Sequence, residues 1–267
     1  MGYPPPAETA AEQKDFRRRV YTVLARDYDV DVLRFMNYGF VPEEGSGSKL
    51  DLNPEEEKFR CHIQLYHHLA SKVVLEGKRV LEVGCGRGGG AAYVARCLRP
   101  ALYVGVDLTL GALQYGAAKN DLANLRFLAG DAERLPFQEE TFDVVLNVES
   151  CHCYEPIELF LAGVKRVLTP GGYLLLTDFR GLVKLDELRR SLFASGLILR
   201  EEIDISKNVL QALKQESRGR MQTIVNHAKP DLWPLLQEFG AVRGSIFFQE
   251  LEGGGAKYLT YVLQKPA

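Results

Sequence analysis

A short glycine-rich stretch restricts the fold of this chain more than any other feature of its sequence. Val80–Gly90 reads as an apolar strand that runs into a turn containing five glycines, and a helix begins near Ala91. Glycines permit a tight turn and let a ligand approach the backbone closely. Gly84, Gly86 and Gly89 satisfy G-x-G-x-x-G, which indicates a nucleotide-binding α/β domain. The pattern alone leaves the nucleotide open, with nicotinamide and flavin cofactors among the candidates.

Short apolar runs alternate with helical stretches in the rest of the chain after Gly77. These runs are Arg79–Val83, Tyr103–Val106, Leu125–Leu128, Val144–Val148 and Tyr173–Thr177. Strands separated by helices are typical of a parallel sheet. Near the C-terminus, Ser245–Leu251 and Lys257–Leu263 read as two strands joined by the glycines at 253–255, which predicts a closing antiparallel hairpin.

Charge and cysteine usage exclude several classes of protein. The 267 residues carry 33 Lys and Arg against 35 Asp and Glu, so there is no basic excess for a nucleic-acid partner. No apolar run approaches the ~20 residues of a membrane helix. The proline-rich start, Met1–Ala10, lacks a secretory signal pattern. Five scattered cysteines favour reduced thiols, so we expect a soluble cytoplasmic protein.

Acidic and amide side chains lie at the ends of the predicted strands, where α/β folds bind ligands. Glu82 precedes the glycine turn, where a carboxylate would repel a pyrophosphate and favour a cationic ligand. Asp107 follows the second strand at a distance that suits the hydroxyls of a ribose. Asp131 follows the third strand and can accept from an adenine amine, and the backbone of Asn147 borders the same ligand. Because the Glu82 carboxylate would repel the pyrophosphate of a nicotinamide cofactor, it disfavours an NAD(P)-dependent oxidoreductase.

Taken together, these motifs resemble the class I S-adenosylmethionine-dependent methyltransferases. The resemblance is carried by Val80–Gly90, Gly105–Leu108, Gly130–Glu133, Phe142–Val148 and Leu168–Leu176. It implies a Rossmann-like α/β fold with a seven-stranded sheet that is parallel except for a terminal antiparallel hairpin. It also implies S-adenosyl-L-methionine as the methyl donor and S-adenosyl-L-homocysteine as its product.

The same resemblance implies which residues bind this cofactor. The acid at the end of the second strand takes the ribose, the glycine turn faces the methionine part, and the segment after the third strand lies beside the adenine. The implied cofactor-binding set is Glu82, Gly84, Cys85, Gly86, Asp107, Leu108, Asp131, Ala132, Glu133 and Asn147.

A closer resemblance is carried by Asn37–Gly39, Val148–Tyr154 and Thr177–Arg180. These segments are similar to the phthiotriol and phenolphthiotriol dimycocerosate methyltransferases and to related secondary-metabolite methyltransferases. The resemblance implies a small-molecule acceptor with a natural-product scaffold. It favours methylation of a hydroxyl oxygen, and methylation of carbon in an electron-rich ring or alkene stays open.

His152 is the predicted general base. It follows the fourth strand closely, and histidine has an unperturbed pKa suited to proton transfer at neutral pH. Asp178 and Arg180 end the fifth strand at the same edge and are predicted to orient His152 or bind the substrate. No metal is predicted, because Cys151 and Cys153 flank His152 without the spacing or the second ligand pair of a zinc site.

Two helical segments of the chain are predicted to cover the site. We expect a helical lid over residues 1–60, including a helix at Phe16–Tyr28, and a methyltransferase domain over 61–267 with a helical cap insertion at about 203–240. Tyr21 and Tyr38 are predicted to close over the donor or the substrate. A homo-oligomer, where one forms, is expected to use the N-terminal segment.

Overall fold

The fold is built on one sheet of seven strands in the order β3-β2-β1-β4-β5-β7-β6. The computed structural model describes residues 33–43, 45 and 50–267, so Tyr21 and the predicted helix at Phe16–Tyr28 lie outside the described residues. The strands are β1 Arg79–Val83, β2 Leu102–Asp107, β3 Leu125–Ala129, β4 Phe142–Val148, β5 Leu168–Gly181, β6 Ile198–Asp204 and β7 Ala256–Gln264.

Strands β1 to β5 pair in parallel, and β7 pairs antiparallel with both β5 and β6. This arrangement confirms the predicted parallel sheet with an antiparallel end. The strand order reverses at β1, which lies between β2 and β4. In sheets of this kind, ligands bind at the carboxyl edge beside such a reversal.

Helices cover both faces of the sheet. They are α1 Pro54–Glu57, α2 Arg60–Ala70, α3 Gly89–Cys97, α4 Leu110–Lys119, α5 Ile157–Val167, α6 Leu182–Ala194, α7 Ser206–His227, α8 Trp233–Phe239 and α9 Ile246–Gly253. Alternate residues of β4 enter different cores: Leu146 packs in one apolar cluster and Val145 in the other. A strand buried on both faces reads as a continuous apolar run, which is why its sequence pattern was so clear.

Two consecutive helices, α1 and α2, follow the N-terminal part. The Asn53 side chain accepts from the backbone N–H groups of Glu55 and Glu56, and the Glu56 carboxylate accepts from the backbone N–H of Asn53. This capping box and Pro54 at the first helical position start helix α1. A turn at 58–59 separates α1 from α2.

The predicted strand Ser245–Leu251 is wrong, because this stretch forms helix α9. The Ser245 hydroxyl caps the helix by accepting from the backbone N–H of Phe248. Phe248 and Leu251 are three residues apart, so they share one buried helical face. The partner of β7 at the sheet edge is β6. Its residues are charged and exposed, so the sequence shows no apolar pattern that predicts a strand there.

This correction moves the helical insertion. Helices α7 to α9 lie between β6 and β7, whereas the sequence placed the insertion between the fifth and sixth strands. The predicted boundaries of the lid and of the domain stay predictions. No helix in the part of the chain that the structure describes is both long and apolar enough to cross a bilayer.

Candidate active site

The glycine turn between β1 and α3 is the floor of a deep cavity at the carboxyl edge of the sheet. Gly84 and Gly86 have φ values of +79° and +53°, in the left-handed region that favours glycine. A Cβ at Gly84 would lie 1.8 Å from Ser150 Oγ, and one at Gly86 would lie 2.5 Å from Met36 Cε. Gly84 is therefore required by local backbone shape and by close packing. Gly86 is required by backbone shape, since Met36 Cε is the end of a flexible side chain.

This glycine-loop cavity has an empty volume of about 1270 Å³ and is bordered by the ends of β1, β2 and β4 and by residues 33–37. Eight of the ten predicted cofactor-binding residues line it. They are Gly84, Cys85, Gly86, Asp107, Leu108, Asp131, Ala132 and Glu133.

Asp107 is the carboxylate at the β2 end of the cavity. It accepts from the backbone N–H of Gly86 at 2.9 Å and from that of Thr109 at 2.8 Å. Burial raises the pKa of Asp107, and these backbone donors partly oppose the rise. The carboxylate therefore holds the glycine turn in place and also faces the cavity.

Glu82 lies behind the glycine turn, not in the described lining of the cavity. It is fully buried, and its two oxygens accept from the hydroxyls of Tyr66 at 2.7 Å and Tyr103 at 2.9 Å. Burial raises the pKa of Glu82 to about 7, although both tyrosines oppose the rise. The predicted contact with a cationic ligand stays a prediction, and the geometry gives Glu82 the position of a buried support.

Asn147 is also buried below the cavity. Its Nδ2 donates to the backbone oxygen of Val83 at 2.8 Å, and its Oδ1 accepts from the backbone N–H of Cys151 at 3.1 Å. The side chain therefore joins the end of β1 to the turn at 151–153. Among the described residues, Asn147 is not one that lines the cavity.

His152, Asp178 and Arg180 form one cluster. The imidazole Nδ1 of His152 lies 2.9 Å from Asp178 Oδ1, and the backbone N–H of His152 donates to Asp178 Oδ2 at 2.8 Å. Arg180 Nη1 lies 3.2 Å from Asp178 Oδ2. Burial opposes ionisation of Asp178, but His152 and Arg180 hold the pKa of this carboxyl well below its usual range.

The pKa of His152 is shifted in the opposite direction. Burial lowers it, but the charges of Cys153 and Asp178 more than offset burial and raise the pKa of His152 to about 10. A carboxylate fixed on Nδ1 sets the orientation of the ring, as in other histidines that act as acids or bases.

Tyr38 packs among aromatic side chains near His152. Its ring stacks on Phe179 with 5.3 Å between centroids and on Phe247 with 5.0 Å. Phe179 in turn lies 4.6 Å from the His152 ring. Tyr38 lines a second cavity, not the glycine-loop cavity.

The second cavity, here called the helical cavity, lies between residues 33–38, α2, α7 and α8 and has an empty volume of about 1260 Å³. Its apolar wall is formed by Leu33, Phe35, Met36, Phe59, Ile224, Leu236 and Phe239. Leu33, Phe35, Met36 and Asn37 border both cavities, so this short segment separates them.

Glu149 is a residue of the site that sequence reasoning missed. It lines the glycine-loop cavity and has a φ of +45°, which is unusual for a residue with a side chain. Its Oε1 accepts from the backbone N–H of Tyr38 at 2.6 Å and from the Tyr258 hydroxyl at 2.5 Å. The available signal was a carboxylate directly after β4, the position that indicated Asp107 after β2.

Comparison with known proteins decides the family. The family model described as "Methyltransferase domain" matches residues 81–176. The chain is 38% identical over 254 residues to a fatty-acid O-methyltransferase of Mycolicibacterium smegmatis, covering 94% of this chain and 90% of that protein. It is also 38% identical over 259 residues to a phthiotriol/phenolphthiotriol dimycocerosates methyltransferase of Mycobacterium tuberculosis, covering 97% and 95%. The chain belongs to the class I S-adenosylmethionine-dependent methyltransferases.

Solved structures agree with this methyltransferase fold. The chain is similar to the [4+2]-cyclase SpnF, with a TM-score of 0.74, 20% identity and 98% of both chains covered. It is also similar to geranyl diphosphate C-methyltransferase from Streptomyces coelicolor A3(2), with a TM-score of 0.69, 15% identity and 98% and 99% coverage. At these identities the likeness shows the fold alone.

The glycine-loop cavity of this methyltransferase fits S-adenosylmethionine, the cofactor of the family. The backbone at Gly84 and Gly86 carries no Cβ, Asp107 offers a carboxylate at the β2 end, and Asp131 and Glu133 lie after β3. Acidic side chains in the wall complement a ligand that carries a sulfonium and an ammonium group. Within residues 33–43, 45 and 50–267, no group of three or more His, Cys, Asp or Glu is arranged to hold a metal ion.

Proposed function

We propose that this enzyme methylates a hydroxyl oxygen of an apolar, lipid-like natural product, with His152 as the general base. The His152–Asp178 pair at the carboxyl edge of the sheet is the observation that carries the proposal. The two methyltransferases named above are each 38% identical to this chain, and their names support a lipid-like acceptor.

Cofactor binding is assigned to the wall of the glycine-loop cavity. Asp107 would hold the ribose, Asp131 and Ala132 would lie beside the adenine, and the turn at Gly84–Gly86 would face the methionine part. The bound cofactor supplies a methyl group on a sulfonium, which is already a strong electrophile. The protein therefore has to align the acceptor oxygen and remove its proton.

A hydroxyl acceptor explains the His152–Asp178 pair better than a carboxylic acid does. A carboxylic acid is already ionised at neutral pH and needs no base. A hydroxyl keeps its proton until attack, and the neutral form of a histidine oriented by a buried carboxylate can receive it. Because the pKa of His152 is raised to about 10, this form is the minor one at neutral pH, and the rate should rise toward alkaline pH. Asp178 is then a positioning residue, and it stabilises the imidazolium that forms.

The helical cavity is assigned to the apolar body of the acceptor. Its wall is mostly apolar and aromatic, and it shares the segment at residues 33–37 with the glycine-loop cavity. An acceptor that lies there would have its reacting group at the boundary between the two cavities. Residues 33–40 would act as part of the lid and helices α7 and α8 as the cap.

Carbon methylation is a second candidate, and the aromatic rings beside His152 favour it. Tyr38, Phe179 and Phe247 stack within 4.5–5.3 Å of one another. Aromatic faces stabilise cations, and carbon attack on an alkene or ring creates one. In that reaction His152 would remove a proton after methyl transfer.

The acceptor atom can be identified with S-adenosylmethionine that carries a ¹³C-methyl group. The purified enzyme is incubated with three probes of similar chain length: oleate, a long-chain secondary alcohol and a long-chain alkyl phenol. We expect a methoxyl carbon in the NMR spectrum of the product of the alcohol or the phenol. A methyl ester from oleate alone, or a methyl group on carbon, would contradict the proposal.

A further inference from the structure

A cluster of polar side chains interrupts the mostly apolar wall of the helical cavity. Glu216 and Arg220 on α7 and His62 on α2 line this cavity, and Asn37 borders both cavities. Their side chains are largely buried, with exposed fractions of 14% for His62, 21% for Glu216 and 15% for Arg220. Polar groups buried against an apolar wall are destabilising unless each has a partner.

Arg220 is the partner that keeps Glu216 ionised. Its Nη2 donates to Glu216 Oε2 at 2.8 Å and to the backbone oxygen of Tyr38 at 3.0 Å. Its Nη1 donates to the backbone oxygen of Gly240 at 2.9 Å. Because a guanidinium is always protonated, the carboxyl group beside it is a carboxylate. A carboxylate has about four acceptor positions, so Glu216 has capacity for further donors.

His62 presents an acceptor toward the same carboxylate. Asn37 Oδ1 accepts from the backbone N–H of Gly39 at 2.9 Å, which fixes the orientation of the amide. The Nδ1 of His62 lies 3.1 Å from this oxygen, so we assign the ring proton to Nδ1. Burial lowers the pKa of His62 to about 4 although Glu216 opposes the fall, so the ring is neutral at pH 7. Its Nε2 is then an acceptor.

Two acceptors therefore face each other in the wall of the helical cavity. His62 Nε2 lies 3.3 Å from Glu216 Oε2, and two acceptors form no hydrogen bond with each other. A group that donates a hydrogen bond to either atom removes this mismatch, whereas a carbonyl or ether oxygen does not. The Glu216–His62 pair is therefore selective for a hydrogen-bond donor.

We propose that the Glu216–His62 pair binds a second hydroxyl of the acceptor, so that the substrate class is a lipid-like diol or polyol. This inference rests on the proposed function, which assigns the helical cavity to the body of the acceptor. The hydroxyl to be methylated lies at the boundary of the two cavities, and the second hydroxyl fixes how the chain lies in the helical cavity.

The surroundings of the pair favour a hydroxyl over an ammonium group and place it close to the reacting hydroxyl. Arg220 already neutralises Glu216, and Lys58 also lines the helical cavity, so a further cation would be repelled. His62 contacts Asn37, which belongs to the segment that separates the two cavities. We therefore expect the two hydroxyls to be separated by a short stretch of the chain.

A first test measures binding without methyl transfer. Calorimetry on the complex with S-adenosylhomocysteine compares a long-chain secondary alcohol with diols of equal length, whose second hydroxyl lies near the first, midway or at the far end. We expect the closely spaced diol to bind about 10–100-fold more tightly than the alcohol, as for a hydrogen bond to a charged acceptor. The matching keto alcohol and amino alcohol should show no such gain. Equal affinities for the alcohol and every diol, or a larger gain from the amine, would overturn the proposal.

A second test removes the acceptor pair with Glu216→Gln. The amide N–H of glutamine can donate to His62 Nε2, and its oxygen can still accept from Arg220, so the site is satisfied without a ligand. We expect the diol to bind no more tightly than the alcohol, with the affinities for the alcohol and for S-adenosylhomocysteine nearly unchanged. The matched control is Glu252→Gln on α9, an exposed carboxylate 2.7 Å from Lys214 Nζ, and it should keep the preference for the diol.

A purely structural role of Glu216 gives a different result. If Glu216 only held α7 against α2, Glu216→Gln would weaken the alcohol and the diol by the same factor, and that outcome would overturn the proposal. His62→Phe is a second variant, since it keeps a flat ring beside Phe35, which lies 5.9 Å away between centroids, and removes Nε2. It should also abolish the preference for the diol.

This inference and the proposed function fail in different ways. A methoxyl product from the ¹³C-labelled donor, together with equal binding of the alcohol and every diol, would overturn only the second-hydroxyl site. A methyl group on carbon, together with an intact preference for the diol, would overturn the oxygen methylation and support the second-hydroxyl site.

Discussion

The carboxylate of Glu149 holds the backbone of Tyr38: its Oε1 accepts from the Tyr38 N–H at 2.6 Å. This bond joins the segment at residues 33–40 to the wall of the glycine-loop cavity. The same oxygen accepts from the hydroxyl of Tyr258 on β7. A single half-buried carboxylate thus ties the segment between the two cavities to the central sheet.

This arrangement predicts that the stability of the protein depends on pH. The substitution Glu149→Gln should weaken that dependence. Burial raises the pKa of Glu149 to about 7, while Tyr258 and Tyr38 oppose the rise. An acid whose pKa is higher in the folded state binds more protons folded than unfolded, so its contribution to stability falls as pH rises from about 4.5 to about 7. That contribution is at most roughly 3 kcal/mol.

Glutamine keeps one oxygen to accept both bonds and removes the charge. The variant should therefore lose less stability between pH 5 and pH 8 than the wild type does, as measured by urea unfolding at each pH. Parallel stability curves for the two proteins would show that Glu149 does not titrate in this way.

Local sequence patterns predicted the parts of the site that depend on neighbouring residues. The glycine turn at Gly84–Gly86 and the acid Asp107 are set by a strand end and its following turn, so both were identified from the sequence alone. Glu82 is different, since its environment is made by Tyr66 on α2 and Tyr103 on β2, which are distant in sequence. No local pattern reports that two hydroxyls enclose that carboxylate.

The C-terminal region shows the same limit in the fold. Phe247, Phe248 and Leu251 suit a strand as well as a helix, and a terminal pair of strands was expected. The Ser245 cap and the burial of one helical face stabilise helix α9 over a strand. The true edge strand β6 is rich in charge, which is typical of an edge and gives little apolar pattern to detect.

Asp107 should determine the affinity for the adenosine part of the cofactor. Asp107→Ala removes the acceptor of the Gly86 N–H and the proposed acceptor for the ribose, so the affinity for S-adenosylhomocysteine should fall by about 1–3 kcal/mol. Isothermal calorimetry measures this change, with Asp107→Asn as the variant that preserves shape. We expect no binding of NADH by the wild type, and equal affinities for NADH and S-adenosylhomocysteine would contradict the cofactor assignment of the cavity.

His152→Ala should separate chemistry from cofactor binding. We expect single-turnover methyl transfer to an alcohol acceptor to slow by about 10²–10⁴-fold, the range of general-base catalysis. Affinity for S-adenosylhomocysteine should hardly change, because His152 is not a described lining residue of the glycine-loop cavity. A variant with a near-normal single-turnover rate at pH 7 would exclude the base role and favour carbon methylation.

Methyl transfer should proceed without a metal ion. The predicted chemistry assigns proton removal to protein side chains, and a sulfonium needs no Lewis acid to be attacked. We expect the same initial rate after dialysis against EDTA as before it. A loss of turnover that magnesium or zinc restores would contradict this expectation.

Gly219 offers a way to test whether the helical cavity holds the acceptor. It lies within α7, lines that cavity, and a Cβ at this position would have no heavy atom within 4 Å. Gly219→Ala should therefore be accommodated, and it should stabilise the protein by up to about 1 kcal/mol through helix propensity. Gly219→Phe would instead project a ring toward the cavity and compete with the acceptor for space. We expect it to raise the KM for long-chain acceptors at least tenfold, with the affinity for S-adenosylhomocysteine unchanged. If Gly219→Phe and Gly219→Ala have the same KM for acceptors of every chain length, the acceptor binds elsewhere.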